Sequence, residues 1–103
     1  MEKTYGDYVA FMKALSDVTR VKIFDMLASG ELCACKILEE FQITQPTLSY
    51  HMKILCGSGL VNSRRDGVWI RYSINRSNLE RLADMFDSIR KNTGYNINCT
   101  KKN

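Results

Sequence analysis

Histidine, tryptophan and proline each occur once in this 103-residue chain, at His51, Trp69 and Pro46. A lone histidine with no evident partner makes a poor case for acid–base or nucleophilic catalysis. No internal repeat and no low-complexity run is present. No apolar run approaches the length of a membrane span, which excludes a membrane partner. The opening segment MEKTYGDYVAF carries Glu2 and Asp7 early and has no apolar stretch of the signal-peptide kind. A cytoplasmic location is therefore expected. An excess of acidic residues is also missing: the net charge is +4 and the pI about 9.0, which fits a nucleic-acid partner without proving one.

Hydrophobic residues make up 45% of the chain and charged residues 25%, an ordinary globular composition. One domain over residues 1–92 is expected, followed by a polar, flexible tail over residues 93–103. So short a chain buries a smaller share of its surface than a large domain does, which favours dimerisation. Four cysteines in a reducing compartment point to metal binding, redox chemistry or core packing before a disulfide framework.

Periodicity predicts a mainly α fold with a small β-hairpin, of the α+β class: five helices and a two-stranded wing. The first helix is expected over about residues 5–15, with Tyr8, Val9, Met12 and Leu15 as its apolar stripe. Asp17 is placed to cap a second helix, whose apolar positions are Val18, Val21, Ile23, Phe24 and Leu27 and which Gly30 ends. A third helix is read over about residues 32–41. Thr44 then caps a fourth over about residues 45–56, with Pro46 tolerated in its first turn and Gly57 and Gly59 stopping it. The period then changes. Residues 60–64 read as a strand, Asp66-Gly67 as a hairpin turn, and Val68, Ile70, Tyr72 and Ile74 as one face of the return strand. A fifth helix over about residues 76–91 carries Leu79, Leu82, Ala83, Phe86 and Ile89 as its stripe.

Two short helices joined by a tight turn and followed by a basic hairpin outline a winged helix-turn-helix, whose second helix enters the DNA major groove. Leu48, Met52 and Leu55 at i, i+4 and i+7 must face the core. Gln45, Thr47, Ser49, Tyr50 and Lys53 are then turned outward, with chemistry suited to base edges and phosphate. The hairpin adds Arg64, Arg65 and Arg71 for phosphate or minor-groove contact. His51, at the edge of the apolar stripe, is read as orienting the helix, with a phosphate contact as a second role. Trp69 is read as packing on the wing. An enzyme built on the cysteines is disfavoured, because no second catalytic group and no strand leading into the thiols is evident.

Three segments, SDVTRVKIFDMLASGELCAC, QPTLSYHMKILCGSGLV and RRDGVWIRYSI, together resemble the ArsR/SmtB family of metal-responsive repressors. The resemblance implies a homodimer built on the first and last helices, bound to double-stranded palindromic operator DNA and released by an effector. The ELCAC segment resembles the arsenite- and antimonite-responsive branch, which implies Cys33 and Cys35 as thiolate ligands to trivalent arsenic or antimony and no obligatory cofactor. Soft thiolates suit such a centre. Members of that branch often carry a further cysteine three residues on, where this chain has Leu38. The third ligand is then an exogenous group, Cys99 or Cys56, and an organoarsenical, with one valence already on carbon, suits two thiols. Residues two apart on a helix point to nearly opposite sides. A regular first turn would therefore hold the thiols apart, and binding is expected to open it and disturb the recognition helix packed against it. A thiol-redox or persulfide sensor of the same fold is the alternative. Zinc-type ligands are missing from the last helix, which has Asp84 and Asp87 but no histidine.

Overall fold

The computed structural model describes residues 2–95. Its helices are α1 (Glu2–Ala14), α2 (Val18–Met26), α3 (Ala34–Glu39), α4 (Gln45–Ser58) and α5 (Arg76–Tyr95), with a 3-10 turn at Leu27–Ser29. Three strands, β1 (Leu32–Cys33), β2 (Val61–Asp66) and β3 (Trp69–Ile74), form one antiparallel sheet in the order β1-β3-β2. The five expected helices are present. The wing, however, is part of a three-stranded sheet and not a two-stranded one.

Local chemistry sets most of the boundaries. Asp17 caps α2 by accepting from the Arg20 amide at 3.2 Å, and Thr44 caps α4 by accepting from the Thr47 amide at 3.2 Å. Gly57 does not stop α4, which runs on to Ser58 and ends at Gly59, in the left-handed region at φ +95°. A Cβ at Gly59 would lie 3.0 Å from the Asn78 amide nitrogen, which donates to the Gly59 carbonyl at 2.8 Å. That bond ties the end of the recognition helix to the first turn of α5. The hairpin turn centres on Gly67-Val68, one residue later than Asp66-Gly67, because Asp66 already pairs with Trp69. Gly67 has φ +66° and Val68 a negative φ, the pattern of a type II′ turn. Helix α5 continues to Tyr95, past the expected end near residue 91 and into the segment expected to be tail.

The core is built on Phe11, Ile23, Ile37, Met52, Leu55 and Leu60, all essentially sealed from solvent. Burying each such side chain contributes roughly 1.5–3 kcal/mol. Leu48, Met52 and Leu55 face inward from α4 as their spacing requires. Elsewhere the apolar stripes are only partly buried in the single chain. Helix α1 buries Phe11 and Ala14, while Val9 and Met12 are exposed. Val18 and Val21 of α2 and Phe86 and Ile89 of α5 are likewise exposed, and among the described side chains of α5 only Leu82 is buried. A single chain has too little core volume to cover both faces of its terminal helices.

One buried charge organises the centre. Arg20 donates from Nε to the Ala14 carbonyl at 2.7 Å and from Nη1 to His51 Nδ1 at 3.0 Å. It thus clamps the end of α1 to the middle of α4. Because an arginine only donates, His51 must accept at Nδ1 and carry its proton on Nε2. Replacing Arg20 by methionine leaves both acceptors unpartnered. We expect a loss of about 2 kcal/mol in urea unfolding. An unchanged midpoint and slope would mean that the clamp adds nothing to stability.

Candidate nucleic-acid interface and thiol site

The outward face of α4 is as anticipated. Gln45, Thr47, Ser49, Tyr50 and Lys53 are all exposed, and Tyr50 stacks edge-on against the His51 ring at 5.4 Å. The Thr44 hydroxyl both caps the helix and donates to the Thr47 hydroxyl at 3.0 Å, which fixes Thr47 at the first turn. The amide groups of that turn add partial positive charge where a phosphate would lie. His51 is mostly covered and held by Arg20, with Asp17 at 4.0 Å. This geometry leaves Nε2–H as its one spare donor.

The wing arginines differ from one another. Arg64 makes a two-pronged ion pair with Glu31, at 2.7 and 2.8 Å, and Arg71 pairs with Asp66 at 2.8 Å. Arg65 has no ion pair among the described residues. The contacts hold the Glu31 and Asp66 carboxyls below the usual carboxylate range, chiefly through the hydrogen bonds from Arg64 and Arg71 respectively. Arg65 is therefore the wing cation most available to a phosphate, while Arg64 and Arg71 must exchange partners to reach one. Nothing in the pattern of charges along the sequence separated the three.

The cysteines overturn the helical expectation. Leu32 and Cys33 do not begin a helix; they form β1, with Leu32 opposite Tyr72 and Cys33 opposite Arg71. Cys33 keeps an extended backbone, φ −71° and ψ 146°, and its sulfur caps α3 by accepting from the Cys35 amide at 3.3 Å. Sulfur here does the work usually given to a serine or aspartate oxygen. The two Sγ atoms consequently face each other in direct contact instead of pointing apart. No helical turn has to open for one atom to bridge them. A thiolate-bound centre about 2.3 Å from each sulfur holds them roughly 3.5 Å apart. Cys35 is exposed, so its side chain has room to turn to that spacing. Contacts of α3 run mainly to β3 and β1, so the pair is joined to the wing more than to the recognition helix.

The pair shares a proton unequally. The hydrogen bond between the two thiols lowers the Cys33 pKa, with further help from the Cys35 and Lys36 amides. The same bond raises Cys35. Cys33 is buried and Cys35 exposed, so one sulfur is fixed and the other is accessible. Cys56 is partly buried among core residues, its thiol pushed up by burial, as filler should be. Cys99 lies outside the described residues. Among the described residues no group of three cysteines, histidines or carboxylates is placed to hold a metal ion.

Comparisons with known proteins agree with this architecture. The pattern of the family described as "Bacterial regulatory protein, arsR family" matches residues 17–63. The "Arsenical resistance operon repressor" of Staphylococcus aureus is 43% identical over 100 residues, covering 97% of this chain and 93% of that protein. Its namesake from Staphylococcus xylosus is also 43% identical, over 84% of this chain and 83% of the relative. Among solved structures, an "ArsR-like Transcriptional Regulator from Rhodococcus sp. RHA1" superposes with a TM-score of 0.81 at 25% identity, covering 97% of this chain and 94% of that one.

The shared proton gives a direct test. As pH rises, the first thiol proton leaves the pair from Cys33 below the ordinary thiol value, and the second leaves Cys35 above it. In a Cys56→Ser/Cys99→Ser background, Cys35→Ala should move the first step of the ultraviolet thiolate titration upward. A first step unchanged by Cys35→Ala would show that the neighbouring thiol does not hold Cys33.

Proposed function

Because the chain belongs to the arsR family of bacterial regulatory proteins, we propose that it represses an arsenical resistance operon and leaves its operator when trivalent arsenic or antimony bridges Cys33 and Cys35. It is a DNA-binding transcription regulator and not an enzyme. The observation that carries the effector reading is the convergence of the two sulfurs, with Cys33 on a strand paired with the wing. On double-stranded operator DNA, Gln45, Thr47, Ser49, Tyr50 and Lys53 of α4 read the major groove. Arg65 engages phosphate, Arg64 and Arg71 join it by partner exchange, and His51 offers Nε2–H from its clamped position.

Release follows from connectivity. A bridging centre turns Cys35 and pulls on Cys33, which sits opposite Arg71 in β3. Arg71 in turn holds Asp66 at the hairpin end. Glu31, two residues before Cys33, holds Arg64 on β2. Moving β1 therefore moves the wing and redistributes its arginines. The effector and DNA then oppose each other reciprocally, by about 1–3 kcal/mol per site.

The exposed apolar residues of the terminal helices support a homodimer. Tyr5, Val9 and Met12 stand at i, i+4 and i+7 on α1, and Phe86 and Ile89 at i and i+3 on α5, all between 41% and 67% exposed. Contiguous apolar surface of this kind marks an association site. Phe86→Glu should convert the dimer to monomer in sedimentation velocity and weaken operator binding at least tenfold. A dimer of unchanged stability would place the interface elsewhere.

The function itself is tested by fluorescence anisotropy of reduced protein on its upstream promoter DNA. Arsenite should release the wild type and not Cys33→Ser/Cys35→Ser, with both binding DNA beforehand. Cys99→Ser in the same assay counts the ligands. Should arsenite leave both complexes intact while a mild oxidant dissociates the wild type, the thiols sense redox state and the arsenic reading falls.

A further inference from the structure

A cleft of about 310 Å³ opens directly beside Cys35. Cys35 and Leu38 of α3 lie on one side, Gln45 and Ser49 of the recognition helix on a second, and Val68 and Trp69 of the wing on a third. Its lining is mainly apolar, although it adjoins a thiol and the DNA-reading face. We infer that this cleft receives the organic substituent of a trivalent organoarsenical whose arsenic is held by Cys33 and Cys35. The inference rests on the thiol reading above and narrows it to a ligand class.

Valence supplies the first step. Trivalent arsenic makes three bonds, and the described residues bring only two thiols together, with no third cysteine, histidine or carboxylate grouped beside them. An inorganic centre keeps a hydroxide on its third bond; an organoarsenical keeps carbon there. The exchange balances without redox chemistry. Two As–S bonds form, two As–O bonds of R–As(OH)2 break, and the thiol protons leave with the hydroxides as two waters. Arsenic stays trivalent throughout. The substituent R then projects from a centre attached to Cys35, which lines the cleft.

Size and surface supply the second. An engineered protein cavity of about 150 Å³ accepts benzene, so this cleft has room for a phenyl group. Trp69 is half exposed and offers an indole for ring packing. Burying a phenyl-sized group is worth roughly 1.5–3 kcal/mol, which converts to at least about tenfold in affinity. A group lodged there also stands between α4 and the wing, the two elements that must fit DNA together. The substituent thereby acts as a wedge as well as an anchor.

Trp69 is the chain's only tryptophan, so its emission reports on the cleft independently of DNA. Reduced protein is titrated with phenylarsine oxide and, separately, with arsenite. The phenyl compound should bind at least tenfold more tightly and change Trp69 emission more strongly. Ala34→Leu, which fills the cleft, should abolish that advantage while arsenite binding persists. Val68→Phe at the exposed hairpin turn repeats the test at the cleft mouth should Ala34→Leu fail to fold. Equal affinity for both compounds, or a phenyl advantage untouched by either variant, overturns the cleft assignment and leaves the thiol reading standing. Binding of both compounds by Cys33→Ser/Cys35→Ser as tightly as by wild type overturns the thiol reading and the cleft assignment with it.

Discussion

Two residue pairs, Leu32 with Tyr72 and Cys33 with Arg71, decide how this chain is wired. Without that short antiparallel pairing, residues 32 and 33 would be free to wind into α3, and the thiols would sit on opposite sides of a helix. With it, Cys33 stays extended, its sulfur becomes the cap of α3, and Cys35 is delivered to it across one turn. The strand is too short to contribute much stability of its own. Its effect is geometric: it places a buried sulfur inside the same sheet as the wing. A chemical event at the thiols and the position of the wing are then properties of one sheet.

Charge on the wing is distributed with the same economy. Arg64 and Arg71 are engaged by Glu31 and Asp66, both of which lie on or beside strands of that sheet. Exposed ion pairs of this kind contribute little to stability, typically 0–1 kcal/mol. They are therefore inexpensive to exchange for phosphate contacts, and they disfavour approach of the wing to DNA only weakly. Arg65 stands ready without exchange. The recognition helix, by contrast, is held rigidly, since Arg20 and His51 fix its middle and Asn78 its end. The recognition helix is thus tied at its middle and its end, while the exchangeable ion pairs lie on the wing, in the same sheet as Cys33.

Much of this was legible in the residues. Thr44 and Asp17 announced two helix starts because a capping hydroxyl or carboxylate has a local partner three residues on. Leu48, Met52 and Leu55 announced the buried face of α4 because a long periodic stretch leaves little choice. The sheet's third strand was not legible. Two residues carry no period, and their extended form is imposed by β3, which lies some forty positions away in sequence. The apolar stripes of α1 and α5 are legible as stripes, but periodicity does not report how much of a stripe one chain buries. Val9, Met12, Phe86 and Ile89 are apolar at helical spacing yet exposed in the single chain. The Arg64–Glu31 and Arg71–Asp66 pairings join sequence-distant or cross-turn positions, and composition alone cannot choose among three arginines.

Magnitudes tie the proposed dimer to the proposed switch. Shifting a two-state equilibrium from almost fully bound to almost fully released takes about 5.5 kcal/mol of differential binding. One site coupled at about 1–3 kcal/mol falls short of that; two sites acting on one DNA-bound dimer come within reach. The proposed dimer is then what the proposed response calls for. The same arithmetic gives the cleft its role. A thiol-bound centre acts through Cys35 and the β1 strand of Cys33, whereas a substituent between α4 and the wing adds a second, independent difference between the released and DNA-bound arrangements. A two-thiolate site, with one bond fewer than a three-thiolate one, gains most from such an added term.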